Sequence, residues 1–235
     1  MKVELTLPAS LLSLRLYGSF SRGDYDELSD VDVLAVYGKR PSENVRNTVR
    51  QQLAKIFTGK VDLAEYSGPR IEEFYKNGHL FAWHLHAESK NLAAGRDSFF
   101  EALGAPAPYK AAHSDALGFL ELLRTSREEA NKAGVSFVYE AGLMYLASRN
   151  VAICASYWLN ERPDFSRHAM YNVCERLSIE PQVARADYEG LIRCRFASIR
   201  GQMSIVPSSS WIVETCQSLS LVCQHIVERT FRETS

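Results

Sequence analysis

The chain has 235 residues, 46% hydrophobic and 11% aromatic, enough apolar material for one large or two modest packed cores. Its 27 Lys and Arg against 28 Asp and Glu leave a net charge of -1, which gives no field to gather a polyanion and argues against extended nucleic-acid binding, though not against a local basic pocket. The longest apolar stretch, 135–159, is broken by Glu140, Arg149 and Asn150, each costly inside a bilayer, so a buried helix is expected there and no membrane partner.

The first residues carry Lys2 but also Glu4, Pro8 and Arg15, and show no clean signal peptide. Short β-type runs then alternate with helical ones: LLSLRLYG, VDVLAVY, a helical run after Pro41 with Val45, Val49, Leu53, Ile56 and Phe57 on one face, and KVDLAEY. Residues 70–77 form a predicted short helix closed by Gly78, and 80–92 fits helix or strand equally. The texture changes at GAPAPYKAAHSD, which sets a boundary between a mixed α/β part, 1–108, and a helical part, 109–235. Helices are predicted over 114–132, 136–159, 166–177, 184–200 and 211–232, joined by short polar or proline-bearing connections as in a bundle. The expected fold class is therefore α+β, with a mixed sheet followed by an all-α bundle. The cysteines, Cys154, Cys174, Cys194, Cys216 and Cys223, all lie within helical patterns and form no CxxC pair, which suits reduced core thiols and a cytoplasmic location.

The chemistry concentrates in GSFSRGDYDELSDVDVLAV. Along a strand, alternate side chains share a face, so Asp30 and Asp32 are expected on one side at the start of VDVLAV, with Val31 and Val33 on the other. Two carboxylates so placed repel one another unless a divalent cation lies between them, and hard oxygen ligands suit magnesium. Upstream, Gly18-Ser19 ends a strand where glycine permits a tight turn and lets backbone N–H groups approach an anion, with the Ser19 hydroxyl as a further donor. Arg22 can set a forked cation against phosphate oxygens. Asp62, at the start of KVDLAEY, could complete the metal shell or accept a proton from an attacking hydroxyl. Asp and Ser before a strand are also ordinary turn formers; it is the combined register of turn, arginine and aspartates that favours a site.

The pattern Gly18, Ser19, Arg22, Gly23, Ser29, Asp30 and Asp32 resembles the DNA polymerase beta superfamily, in particular the minimal nucleotidyltransferases and their aminoglycoside-modifying relatives. The resemblance covers residues 16–36. It implies that Gly18 and Ser19, with Arg22 and Ser29 nearby, hold the triphosphate of a donor such as ATP, that Asp30 and Asp32 bind two magnesium ions, and that Asp62 is the third family carboxylate. It also implies transfer of a nucleotidyl group to an acceptor hydroxyl, on a small molecule such as an aminoglycoside or on a protein, with release of pyrophosphate.

Residues 114–232 resemble the helical bundles named for higher eukaryotes and prokaryotes nucleotide-binding (HEPN), which in the antibiotic-modifying relatives wall the acceptor pocket; the active site is then expected between the two parts. Some such bundles are ribonucleases marked by Arg, four to six residues, then His, and Arg162 and His168 offer that spacing, which makes an RNA-cleaving bundle with a regulatory N-terminal part the alternative reading. Arg193 and Arg200 share a helix face and could reach phosphate, or pair with Asp187 and Glu189. His79, His84 and His86 have the composition of a metal cluster, but they alternate with apolar residues as packing would have them and no cysteine lies nearby to complete a zinc site; Glu140 is either an acceptor-pocket base or a first-turn glutamate. A homodimer is an expected assembly.

Overall fold

The structure is a computed structural model and describes residues 5–27, 29–93, 95, 97–132, 134–201 and 206–232. Lys2 and Glu4 lie outside them, and so does the side chain of Arg200. The chain separates into two compact units, Met1–Tyr109 and Lys110–Ser235. Together the described residues form a mixed four-stranded sheet and ten helices, an α+β fold with a helical C-terminal region.

In the first unit, β1 (Leu11–Tyr17) runs into α1 (Gly18–Arg22), and β2 (Val31–Tyr37) returns antiparallel to β1. The crossover helix α2 (Glu43–Ala54), capped by Ser42, then carries the chain to β3 (Val61–Ser67), which pairs parallel to β2. Next come α3 (Gly68–Lys76), α4 (Leu80–Glu88), the two-residue β4 (Lys90–Asn91) and α5 (Ser98–Leu103), which gives the strand order β3-β2-β1-β4. The ambiguous stretch 80–92 thus divides into a helix and an edge strand. His79 caps α4 by accepting the Phe81 N–H through Nδ1 at 3.1 Å.

Strand β2 is buried on both faces, as its nearly unbroken apolar run requires. Val31, Val33, Ala35 and Tyr37 pack with Leu14, Val49 and Leu53 beneath α2. Leu34 and Val36 pack with Ile71, Phe74, Tyr75, Ala82 and Leu85 beneath α3 and α4. By alternation Asp32 belongs to the second face, one step before Leu34.

The helical unit comprises α6 (Ala112–Glu129), α7 (Phe137–Asn160), α8 (Ala169–Leu177), α9 (Arg185–Arg200) and α10 (Ser209–Thr230). Helix α7 packs against all four others and is largely buried. Gly142 lets α9 approach it closely, since a Cβ there would lie 3.0 Å from the Arg195 Cα. Arg149, the charge within this apolar helix, is satisfied by donating to the Phe165 and Ser166 carbonyls of the following loop. Among the described residues no helix is long and apolar enough to cross a membrane.

Candidate active site

Parallel pairing of β2 and β3 sets Asp32 directly beside Asp62, each the second residue of its strand. Neighbouring residues in register lie on the same sheet face, so the two carboxylates project together, Asp62 exposed and Asp32 half-buried. On the other side of β2, Tyr17 is the cross-strand partner of Asp32, and the chain passes straight from Tyr17 into Gly18. Gly18 has φ +69, in the left-handed region, and a Cβ on it would run into the Asp32 carboxylate. The turn and the carboxylate are therefore packed against each other, and only glycine meets both demands.

Tyr17 stays protonated. Burial first, then the charges of Asp32 and Asp62 and the neighbouring Tyr66, push its hydroxyl well above the usual tyrosine range. Its ring stands edge-on to Phe81 and His84, with centroids 5.7 and 5.4 Å away.

Asp30 lies just before β2 and meets the ammonium of Lys60 at 3.7 Å, a neighbour supplied by the same parallel pairing, since the Val31 N–H donates to the Lys60 carbonyl. Ser29 shapes the approach to the strand: its backbone N–H donates to the Asp26 carbonyl, and its hydroxyl donates to the Asp26 carboxylate at 3.0 Å. Arg22 donates to Asp24 and, at 2.7 Å, to Glu88 at the end of α4. Burial works against its charge, but the hydrogen bonds and charges of Asp24 and Glu88 outweigh that and hold it more firmly protonated than usual.

Among the described residues no three or more His, Cys, Asp or Glu side chains are gathered so as to hold a metal ion by themselves. Asp32 and Asp62 nonetheless fit magnesium. It is usually held by one or two carboxylates, with phosphate oxygens and water completing the shell, and these are hard oxygen donors set side by side at the mouth of two strands. The three histidines of α4 and its cap have other roles: His79 caps, His84 lies 2.9 Å from Glu88, and His86 stands edge-on to Trp83.

Residues 7–79 match the family model of the nucleotidyltransferase domain. The match spans the turn, all three aspartates and both parallel strands of this nucleotidyltransferase domain, and supports nucleotidyl transfer in general. Among solved structures, spectinomycin adenyltransferase AAD(9) from Enterococcus faecialis, with ATP and spectinomycin, is similar over 92% of each chain at 11% identity and a TM-score of 0.50, a likeness of fold. A toxin-antitoxin complex with AMP-PNP is 20% identical over 41% of this chain and 70% of that one, with a TM-score of 0.30. No curated protein matches.

In the helical unit Arg162 is exposed in the bend after α7, and His168 precedes α8 with its Nε2 2.6 Å from Glu189. Asp187 accepts the Trp211 indole N–H at 2.8 Å. The two carboxylates suggested as partners of Arg193 and Arg200 thus engage Trp211 and His168, and the side chain of Arg200 lies outside the described residues. Glu140 lies in the first turn of α7, 7% exposed, and burial pushes its carboxyl above the ordinary value. Tyr17, Lys60 and Glu88 are not marked by the sequence, and His84 is marked there only as a packing residue. The repeated Val-Asp of VDVLAVY and KVDLAEY was the available signal for Lys60, because pairing the two aspartates puts Lys60 opposite Asp30.

Proposed function

We propose that the chain transfers a nucleotidyl group, AMP from ATP, to an acceptor hydroxyl on a small molecule or a protein. The observation that carries this reading is the in-register pair Asp32 and Asp62 with Gly18 packed against the Asp32 carboxylate, inside the segment that matches the nucleotidyltransferase domain. The fold likeness to an enzyme solved with ATP and spectinomycin supports a nucleoside triphosphate donor and a small hydroxylated acceptor.

Asp30, Asp32 and Asp62 would hold the magnesium. When bound, it would neutralise charge on the triphosphate and polarise the α-phosphate. The Gly18-Ser19 turn receives the outer phosphates through backbone N–H groups and the Ser19 hydroxyl, while Arg22 and Lys60 add positive charge nearby. The acceptor oxygen forms a bond to the α-phosphorus, the bond from that phosphorus to the bridging oxygen breaks, and pyrophosphate leaves. The hydroxyl proton goes to Asp62, the more exposed carboxylate of the pair. Tyr17, kept protonated, adds no further negative charge beside the carboxylates.

The test is incubation with α-labelled ATP, magnesium and a panel of hydroxylated acceptors that includes the chain itself. Label is expected to move to an acceptor, to require magnesium, and to be lost when Asp32→Ala and Asp62→Ala are combined. Transfer that survives the double substitution would overturn the mechanism.

A further inference from the structure

Helix α1 carries the Gly18-Ser19 turn, yet it has only five residues and no side-chain cap at its start, too little to hold its own shape. Its rigidity has to come from outside. The ties lead to the end of α4. The Ser21 hydroxyl, 2% exposed, donates to the Glu88 carbonyl, and the Lys90 ammonium donates to the Ser21 carbonyl. Glu88, its side chain 8% exposed, takes the Arg22 guanidinium at 2.7 Å and lies 2.9 Å from His84 on the same carboxylate oxygen. His84 in turn stands against the ring of Tyr17, the residue that precedes the turn. One buried carboxylate thus braces α1 at its end through Arg22, while at its start Tyr17 packs against His84, one turn before Glu88 on α4.

We propose that Glu88 is a positioning residue for nucleotide capture: it holds α1 so that the Gly18-Ser19 turn faces Asp32, and Arg22 acts mainly as the other half of that brace. This rests on the proposed nucleotidyl-transfer reading. It makes a prediction opposite in sign to the simpler view of Arg22 as a phosphate ligand. If Arg22 chiefly grips phosphate, Glu88 competes for it, and Glu88→Gln tightens nucleotide binding. If Glu88 positions α1, the same substitution loosens the turn and weakens binding.

The experiment is calorimetric titration of the full chain with magnesium and a non-hydrolysable ATP analogue, for wild type, Glu88→Gln, Arg22→Gln and the double variant, with hydrogen exchange across residues 17–24. Glu88→Gln is expected to weaken binding about tenfold, in the range of a modest coupling free energy, and to speed exchange in α1 while β2 stays protected. The double variant is expected to be little worse than either single one, because both remove one brace. Tighter binding in Glu88→Gln, or losses that multiply in the double variant, would overturn the proposal. Should Glu88→Gln fail to fold, Ser21→Ala removes a different tie of the same brace, and unchanged affinity there would overturn it equally. A wild-type chain that binds no nucleotide would defeat the nucleotidyl-transfer reading itself, which is a separate result.

Discussion

At Gly18 two requirements coincide in one residue: a positive φ, and the absence of any atom where the Asp32 carboxylate packs. Alanine there meets both obstacles. The backbone term alone costs about 1–2 kcal/mol, since an L side chain in the left-handed region crowds the neighbouring carbonyl. Its Cβ would also displace Asp32 from its place beside Asp62. Gly18→Ala is therefore expected to lower the melting temperature and to weaken magnesium–nucleotide binding together, at least tenfold for binding, whereas Gly23→Ala, with φ +86 but open space around it, should cost stability with much less effect on affinity. Thermal melts and calorimetry on the two variants check the difference. Equal affinity losses would mean that backbone strain, and not the contact with Asp32, is what matters at the turn.

At the scale of elements, what could be read from the sequence followed the strength of the local signal. Strand β2 and the long helices α7 and α10 show sustained periodicity; the observed β2 coincides with the run VDVLAVY, and the spans of α7 and α10 differ from the expected ones by one and two residues, respectively, at each end. Helix α5 was not foreseen because it has six residues, buries none of them fully, and is announced only by Asp97 accepting the Phe100 N–H. Strand β4 has two residues, too few for any alternation to show, and exists through its pairing with Arg15 and Leu16. The same limit applied to the site. Spacing marked Asp30 and Asp32 as a pair, but the neighbours that the strands provide are Asp62 for Asp32 and Lys60 for Asp30, and pairing partners are a tertiary fact. Glu88 was hidden for the same reason, 66 residues from Arg22.

Helix α7 carries a prediction of its own. Glu140 is nearly buried, with Ser126 and Glu129 of α6 and Cys216 of α10 as its polar and titratable neighbours; burial is the main cause that raises its carboxyl pKa, the nearby Ser126 hydroxyl offsets this in part, and the charge of Glu129 adds to the rise. A carboxyl whose folded pKa lies above its unfolded value binds more protons when folded. Its contribution is most favourable in acid and is lost as pH rises through the ordinary carboxylate range and up to the folded value. Glu140→Gln removes the ionisable group while keeping the shape. Melting temperatures should rise relative to wild type at pH 8 and converge toward wild type near pH 4. A variant less stable at pH 8 would show that the charged form has a partner that offsets its burial. The thiols of this unit are protected in the same way. Burial pushes Cys174 up to about 11 and raises Cys216 and Cys223 as well, so alkylation of the native chain at pH 8 should be slow and should become fast only on unfolding.

For the whole molecule, the division into Met1–Tyr109 and Lys110–Ser235 decides which unit answers to the donor. Every residue assigned here to the nucleotide and its metal lies in the first unit, from Gly18 to Asp62, and so does the brace through Glu88. A ligand stabilises what it binds, by about 2.7 kcal/mol at a free concentration one hundred times its Kd. Magnesium and ATP together, without acceptor, are therefore expected to slow hydrogen exchange in β1, α1, β2, β3 and α4, and to leave the cores of α7 and α10 unchanged. The net charge of -1 implies that this binding depends on local groups and not on a molecular field, so its salt dependence should be shallow and should steepen little at low ionic strength. Exchange mass spectrometry on the full chain, with magnesium alone and ATP alone as controls, separates the terms. Protection that appears first in α6–α10 would place the donor on the helical unit and remove the assignment of Gly18, Ser19 and the aspartates. Protection in the first unit with ATP but no metal would leave the phosphate turn in place and take the magnesium from the carboxylate pair.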